Sequence, residues 1–322
     1  MHQTMRAVVI DGPGDADVLR LAEVNSPRRI SAEFLVKVVA AGINPVDVKT
    51  RAGRGVFPAI NELPAVLGQD FSGVVVESPY AAHPLQPGDE VFGMVMVPRY
   101  CGSYAEYVSV PSLSVVRKPS TLSHIEAAGA PVAAMTAWGV VVEVAKAHEG
   151  QRMLIHAGAG GVGHFAVQFA EYFGAYVIAT GSERNGAFLR ELGASEVIDY
   201  NSTRFEDVID DVDVVIDLVG NVHDNTGTRS LKALRKGGLI INVPSGSWPT
   251  FAEDAEAAGV RGTRFSVAPD GNSLAVVGRL LESGAVRVHV DQIFALSDAA
   301  EAHRALESGH TRGKIVLKVA EG

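Results

Sequence analysis

Arg152-Met153-Leu154-Ile155-His156-Ala157-Gly158-Ala159-Gly160-Gly161-Val162-Gly163 is an apolar run that breaks into a glycine-rich turn. Phe165, Ala166, Val167, Phe169 and Ala170 follow it at helical spacing. Strand, turn and helix in this order, with Gly158, Gly160 and Gly163 spaced as G-x-G-x-x-G, form a dinucleotide fingerprint. Gly158 is expected to make the tight turn, Gly160 to let the backbone approach a pyrophosphate, and Gly163 to let helix pack closely on strand. Gly161 and Val162 complete the turn, and the helix behind it offers unpaired N–H groups and a positive dipole end to phosphates.

Downstream the same rhythm repeats. Apolar runs at Tyr176 to Thr180, Val212 to Val219 and Leu239 to Val243 alternate with helical stretches at Arg184 to Leu192 and Thr228 to Arg235. Alternation of this kind implies parallel strands with crossover helices on both faces, a doubly wound α/β architecture. Upstream, from Arg6 to about Val116, short β-rich runs such as Arg6 to Ile10, Phe34 to Ala40, Gly73 to Glu77 and Glu90 to Phe92 are cut by Gly, Pro and Asp turns. That stretch reads as an irregular β domain. Helices around Leu274 to Ser283 and Ser297 to Ser308 and a strand at Lys314 to Val319 close the chain.

The end of the second strand of the α/β part bears on the cofactor. An NAD site usually places an acid there to hold the ribose hydroxyls. This chain has Gly181, followed by Ser182, Glu183 and Arg184. Loss of the carboxylate removes repulsion with a 2'-phosphate, and Ser182 and Arg184 can donate to one, the guanidinium as a charge-assisted fork. NADP is therefore favoured, with two alternatives open: Glu183 turned to the ribose, and Arg184 as a solvated residue at a helix start.

A length of 322 residues is long for one core and natural for two domains. The formal charge of -9 argues against a surface that tracks nucleic-acid phosphates. The single cysteine, Cys101, rules out an intrachain disulfide and any multi-thiolate metal site, which fits a reducing cytoplasm. Met1 to Ile10 lacks the apolar core of a signal peptide, and no segment offers the roughly 18 apolar residues of a spanning helix. A cytoplasmic protein without membrane or nucleic-acid partners is expected.

Further blocks carry a family resemblance: Gly42-Ile43-Asn44-Pro45-Val46-Asp47 with Arg51 and Gly53, Leu67 to Val75, Pro87 to Gly93, Gly102 to Val108, Thr136-Ala137-Trp138, Asp217-Leu218-Val219-Gly220 and His310 to Val316. With them the chain resembles the zinc-independent medium-chain dehydrogenases/reductases, and among these the quinone oxidoreductases. The resemblance implies a GroES-like β-barrel catalytic domain from residues 1–124 and 267–322, a Rossmann NADP-binding domain at 125–266, and an active site in the cleft between them. Zinc alcohol dehydrogenases, similar in sequence, carry a cysteine ligand where Asn44 stands and a histidine ligand where Gln69 stands. Neither residue is a zinc ligand here, so no metal is expected.

The resemblance also implies NADPH-dependent hydride transfer to a small hydrophobic electrophile, a quinone or an α,β-unsaturated carbonyl. An enoyl-thioester reductase and a non-catalytic NADPH-binding sensor are the alternatives. Asn44 is placed near the nicotinamide, with a turn role before Pro45 as its other reading. Lys49 would steady an enolate or supply a proton, or else be a surface charge. Thr136 would meet the nicotinamide amide or else pack in the core, Tyr200 would meet the 2'-phosphate, and Val219, Val243, Pro244 and Lys314 would complete the cofactor site. Asp47, Asp70 and Arg51 read as structural partners, and His156 and His164 have no metal-site or triad spacing. The loops 54–64, 94–100 and 245–258 are expected to shape the substrate pocket, with Phe57, Met94, Met96, Tyr100, Trp248 and Phe251 hinting at a flat hydrophobic ligand or else packing as satellite clusters. A homodimer is implied, through the edge strand near Arg264 to Ala268.

Overall fold

The computed structural model describes residues 4–320; Met1 to Gln3, where the reading of the N-terminal run begins, lie outside the described residues, as do the last two of the chain. Strands β1 (Thr4–Ile10), β2 (Arg20–Asn25) and β3 (Glu33–Ile43) precede helix α1 (Pro45–Arg51), then β4 (Ala65–Val66), β5 (Asp70–Glu77), β6 (Glu90–Met94), β7 (Tyr107–Pro111) and β8 (Val115–Arg117). Helices α2 (His124–Gly129) and α3 (Pro131–Trp138) lead to β9 (Arg152–Ile155), α4 (Gly163–Tyr172), β10 (Tyr176–Gly181), α5 (Gly186–Glu191) and β11 (Glu196–Asp199). There follow β12 (Val212–Asp217), α6 (Thr226–Ser230), β13 (Leu234–Asn242), α7 (Phe251–Ala257) and β14 (Arg261–Arg264). Helix α8 (Gly271–Glu282), β15 (Val290–Ala295), α9 (Ala299–Glu307) and β16 (Lys314–Lys318) end the described chain. Two compact units result, Met1–Met135 with Ala268–Gly322, and Thr136–Val267.

The second unit holds a six-stranded sheet in the order β11-β10-β9-β12-β13-β14. Every neighbouring pair is parallel. Numbered within the unit, that order is 3-2-1-4-5-6, the doubly wound arrangement whose strand order reverses between β9 and β12. The apolar runs explain it. Leu154, Ile178, Val215 and Ile240 are fully buried in one core with Phe205 and Trp248, as strands covered on both faces require.

Two elements differ from the sequence reading. The helix expected over Thr228 to Arg235 stops at Ser230, because Leu234 already pairs with Val212; the register then shifts before Val214 pairs with Leu239. Gly237, at φ +71, supplies the left-handed residue of the intervening irregularity. The edge strand lies at Arg261–Arg264 rather than near Arg264 to Ala268, set by pairing of Leu239 to Asn242 with Arg261 to Arg264.

The first unit contains a sheet ordered β15-β16-β3-β5-β6-β8, with β7 also paired to β3, and a three-stranded sheet β2-β1-β4. An isolated bridge pairs Ala7 of β1 with Ala105, just before β7. Phe34, Phe71, Tyr104, Ile315 and Leu317 are buried in its core. Antiparallel pairing sets Ile315 opposite Ile43, so Lys314 begins its strand beside the residue that follows β3, Asn44.

Candidate functional site

The carboxyl ends of the parallel strands gather most of the expected cofactor residues. After β9 the chain turns through residues 156–162 into α4. The left-handed residue of this turn is Ala157, at φ +49, and not Gly158. Gly158 is required for packing instead: a Cβ there would lie 2.9 Å from Leu189 and 3.1 Å from Ala179. At Gly163 a Cβ would lie 2.2 Å from the Ala157 carbonyl oxygen and 2.8 Å from Gly158 Cα, so this glycine brings the start of the helix close to the turn itself rather than to the strand. At Gly160 a Cβ would meet only that same carbonyl, at 3.2 Å, so this glycine leaves an open side to the turn.

On the neighbouring strand Gly181 ends β10, and Tyr200 N–H donates to its carbonyl at 3.2 Å. Ser182 accepts from Asn185 Nδ2 at 3.1 Å. Arg184 and Tyr200 are exposed, so guanidinium and hydroxyl donors lie beyond β10 and β11, but the carboxylates of exposed Glu183 and of Asp199, which pairs with Gly181, share that edge. Beyond the reversal, Val219, Val243 and Pro244 stand at the ends of β12 and β13. Thr136, in α3, is buried.

Asp217, quoted only within a block of the resemblance, and Asn242 were not expected as site residues, yet they shape this edge. Asp217 Oδ1 accepts from the backbone N–H of Val219 at 3.0 Å and of Gly220 at 2.7 Å. Its Oδ2 accepts from Asn242 Nδ2 at 2.8 Å. A polar residue closing each of two apolar strands was the signal, since a buried carboxylate or amide at a strand end caps the turn that follows. His156 is a third such residue: its Nδ1 lies 3.1 Å from Thr180 Oγ1 and its Nε2 2.8 Å from Ser230 Oγ.

In the first unit, Asn44 follows β3 and caps α1. Its backbone N–H donates to Asp47 Oδ2 at 2.9 Å, and its Nδ2 donates to Asp70 Oδ2 at 2.8 Å. Lys314 Nζ donates to Asn44 Oδ1, to the Ile43 carbonyl at 3.0 Å, and lies 3.4 Å from Asp70 Oδ2. The three ammonium protons are thus directed at protein acceptors. Burial raises the pKa of Asp70, opposed by Lys314 and the Asn44 hydrogen bond. Burial likewise pushes Asp47 up to about 7, against the hydrogen bond from Asn44 N–H. Tyr104 joins the cluster, its hydroxyl 3.2 Å from both Asp47 Oδ2 and His303 Nε2.

Arg51 pairs with neither aspartate; its guanidinium forks onto Glu307 at 2.6 and 3.1 Å. Lys49 is half-buried on α1, and its pKa is lowered, first by burial and then by Arg54. A zinc ion does not fit at Asn44 and Gln69. Amide oxygens are weak ligands for it, and the Asn44 oxygen already takes the Lys314 ammonium. Among the described residues no group of three His, Cys, Asp or Glu could hold a metal.

The loops read as pocket-forming divide in two. A cavity of about 340 Å³ lies between Gly55, Val56, Pro58 and Ala59 on one side and Met96 to Arg99 on the other. Met94, Trp248 and Phe251, in contrast, are core residues. The indole N–H of Trp248 donates to Asp254 at 2.7 Å, which ties it to the first turn of α7. No helix among the described residues is long and apolar enough to cross a membrane.

An alcohol dehydrogenase GroES-like domain model matches residues 31–120, and a zinc-binding dehydrogenase model matches residues 192–317. The chain is 37% identical over 315 residues to a 2-methylene-furan-3-one reductase of Solanum lycopersicum, covering 94% of this chain and 76% of that protein. It is 35% identical to a chloroplastic NADPH-dependent alkenal/one oxidoreductase of Arabidopsis thaliana, over 97% of this chain and 79% of that one. Among solved structures, a quinone oxidoreductase from Coxiella burnetii superposes with a TM-score of 0.91 at 38% identity, covering 98% of this chain and 99% of that one.

Proposed function

The chain belongs to the zinc-independent, quinone oxidoreductase-like family of medium-chain dehydrogenases/reductases, and on that premise we propose that it is an NADPH-dependent reductase of quinones or α,β-unsaturated carbonyl compounds. The observation that carries this reading is the convergence at one sheet edge of an open glycine turn and a second strand that ends on Gly181, where an NAD site would place its acid. The residues there fit the cofactor. Gly158, Gly160, Gly161, Val162 and Gly163 would cradle the diphosphate, with the open side of Gly160 admitting close approach. Ser182, Arg184 and Tyr200 would take the 2'-phosphate, Val219, Val243 and Pro244 the nicotinamide ring, and Thr136 its amide.

NADPH, when bound, supplies a hydride. Addition of hydride to the β carbon of an enone sends the C=C electron pair onto the carbonyl oxygen as an enolate, and a proton then completes the reduction at the α carbon. A quinone likewise takes one hydride and one proton to become a hydroquinone. One Nδ2 proton of Asn44 is spent on Asp70, and the other would donate to the carbonyl oxygen as charge develops there. Lys314, its protons occupied, would act through Asn44 by holding the amide in this orientation. Lys49 would deliver the proton, a task that its lowered pKa favours.

The cytoplasmic and homodimeric readings belong to the same proposal. The lone Cys101 fits a reducing compartment, and β14 stands at the edge of its sheet, where pairing with a second copy has a template.

The test is NADPH and NADH oxidation by metal-free protein against quinones, alkenals and enoyl thioesters. Rapid oxidation of NADPH in preference to NADH by a quinone or enone supports the reading, as does a raised KM for NADPH alone in Arg184→Ala. Binding of NADPH without oxidation across the panel would sink it in favour of a sensor, and turnover of thioesters alone would move it to an enoyl-thioester reductase.

A further inference from the structure

His156 is wholly buried behind the glycine turn, and its hydrogen-bond partners determine its tautomer. The Ser230 hydroxyl donates its one proton to the Thr226 carbonyl at 2.7 Å. It can therefore only accept from the imidazole, so Nε2, at 2.8 Å, carries a proton. On the other side, the Thr180 hydroxyl oxygen accepts from the backbone N–H of Ala157 at 3.2 Å and lies 3.1 Å from Nδ1. With the ring neutral, Nδ1 is the acceptor and Thr180 donates to it. Four groups are satisfied by one arrangement of protons.

Charge does not favour the alternative. Burial holds the pKa of His156 down at about 4, with Arg229 acting in the same direction and Asp217 and Glu206 opposing. The Phe205 ring packs on the imidazole at 4.6 Å and takes the Arg229 guanidinium 4.7 Å from its centroid. A second proton on His156 would turn Nδ1 into a donor and force the Thr180 hydroxyl to find another acceptor.

The residue held at the end of this chain is Ala157, the one non-glycine residue in a left-handed conformation within the turn, at φ +49. Its carbonyl oxygen is the atom against which Gly160 and Gly163 are placed, 3.2 and 2.2 Å from where their Cβ atoms would stand. The Thr180 hydroxyl holds the His156–Ala157 peptide and the Thr180 carbonyl accepts from Gly158 N–H at 3.0 Å, so both peptides flanking Ala157, and with them the turn, are fixed from Thr180. We infer that His156, as the neutral Nε2-protonated imidazole, acts through Thr180 as a positioning residue that sets the turn's affinity for the dinucleotide diphosphate. This rests on the cofactor reading.

Three measurements test it. Nitrogen NMR of histidine-labelled protein should show Nε2 of His156 protonated and Nδ1 bare; the opposite tautomer overturns the inference. Fluorescence titration of NADPH should give roughly tenfold weaker binding for Thr180→Val and for His156→Phe, since each removes two of the three hydrogen bonds that link Ala157, Thr180, His156 and Ser230. Thr180→Ser, which restores the hydroxyl, and His156→Asn, which restores an acceptor beside it, should bind within about threefold of wild type. Circular dichroism confirms that each variant is folded when titrated. Folded Thr180→Val and His156→Phe variants that bind as tightly as wild type would overturn the role of His156 alone, whereas wild-type protein that binds no NADPH would overturn the cofactor reading with it.

Discussion

Lys314 donates an ammonium proton to the side-chain oxygen of Asn44, across an antiparallel pairing that joins residues 270 positions apart. Both lie against the buried carboxylate of Asp70, which also accepts from the Val132 N–H at 2.7 Å. A buried charge pair contributes little over an apolar pair of the same shape, but losing one partner strands the other.

Lys314→Met should therefore destabilise the protein by about 3 to 5 kcal/mol at neutral pH in urea unfolding. The loss should shrink as pH falls, because Asp70 without its partner takes up a proton more readily. A pH-independent loss would mean that packing, not charge, accounts for it.

Asp47 sets a second pH dependence. Burial raises its carboxyl from 3.8 to about 7, so its contribution to stability is fully present below 3.8 and is lost as pH rises through about 7. Asp47→Asn keeps an acceptor for Asn44 N–H and Tyr104 but removes the titration. Relative to wild type, the variant should gain on the order of 4 kcal/mol between about pH 4 and about pH 8. Unfolding curves at the two ends of that range check it; a constant difference would place the Asp47 pKa in the ordinary range.

The glycines of the turn separate folding from binding. Gly163→Ala drives a Cβ to 2.2 Å from a backbone oxygen and should cost about 1 to 3 kcal/mol of stability. Gly160→Ala meets that oxygen at 3.2 Å and should melt close to wild type, while binding NADPH roughly tenfold more weakly or worse. Thermal melts with fluorescence titrations distinguish the two, and equal binding by Gly160→Ala would remove the diphosphate from this turn.

Lys49→Met should lower kcat by roughly a hundredfold, the usual scale for loss of a positioned acid. Wild-type kcat should fall with rising pH as Lys49 loses its proton, at a pH below its ordinary 10.5, and the variant should lack that limb. Retention of the same alkaline limb would assign it to another group.

The doubly wound unit and its glycine turn were legible in the sequence because their signals are local. Apolar strands such as Met153 to Ile155 and the spacing of Gly158, Gly160 and Gly163 are each contained within about a dozen residues. The job of each glycine was less legible. Gly158 reads as the bend from spacing alone, yet the bend falls on Ala157, and Gly158 is held by Leu189 and Ala179 from other elements. Trp248 and Phe251 likewise sit in a polar loop sequence but pack into the core of the sheet.

What the sequence by itself determined is therefore the parallel α/β architecture, the position of the glycine turn, and the absence of an acid at Gly181, all of which are written in short-range periodicity and residue type. Tertiary structure alone decided that Arg51 meets Glu307, that Lys314 meets Asn44 and Asp70, and that His156 holds Ala157 through Thr180. The physical reason is the same in each case. Which polar groups share a buried site depends on strand register and packing between distant segments, and burial makes those pairings obligatory without leaving a pattern along the chain.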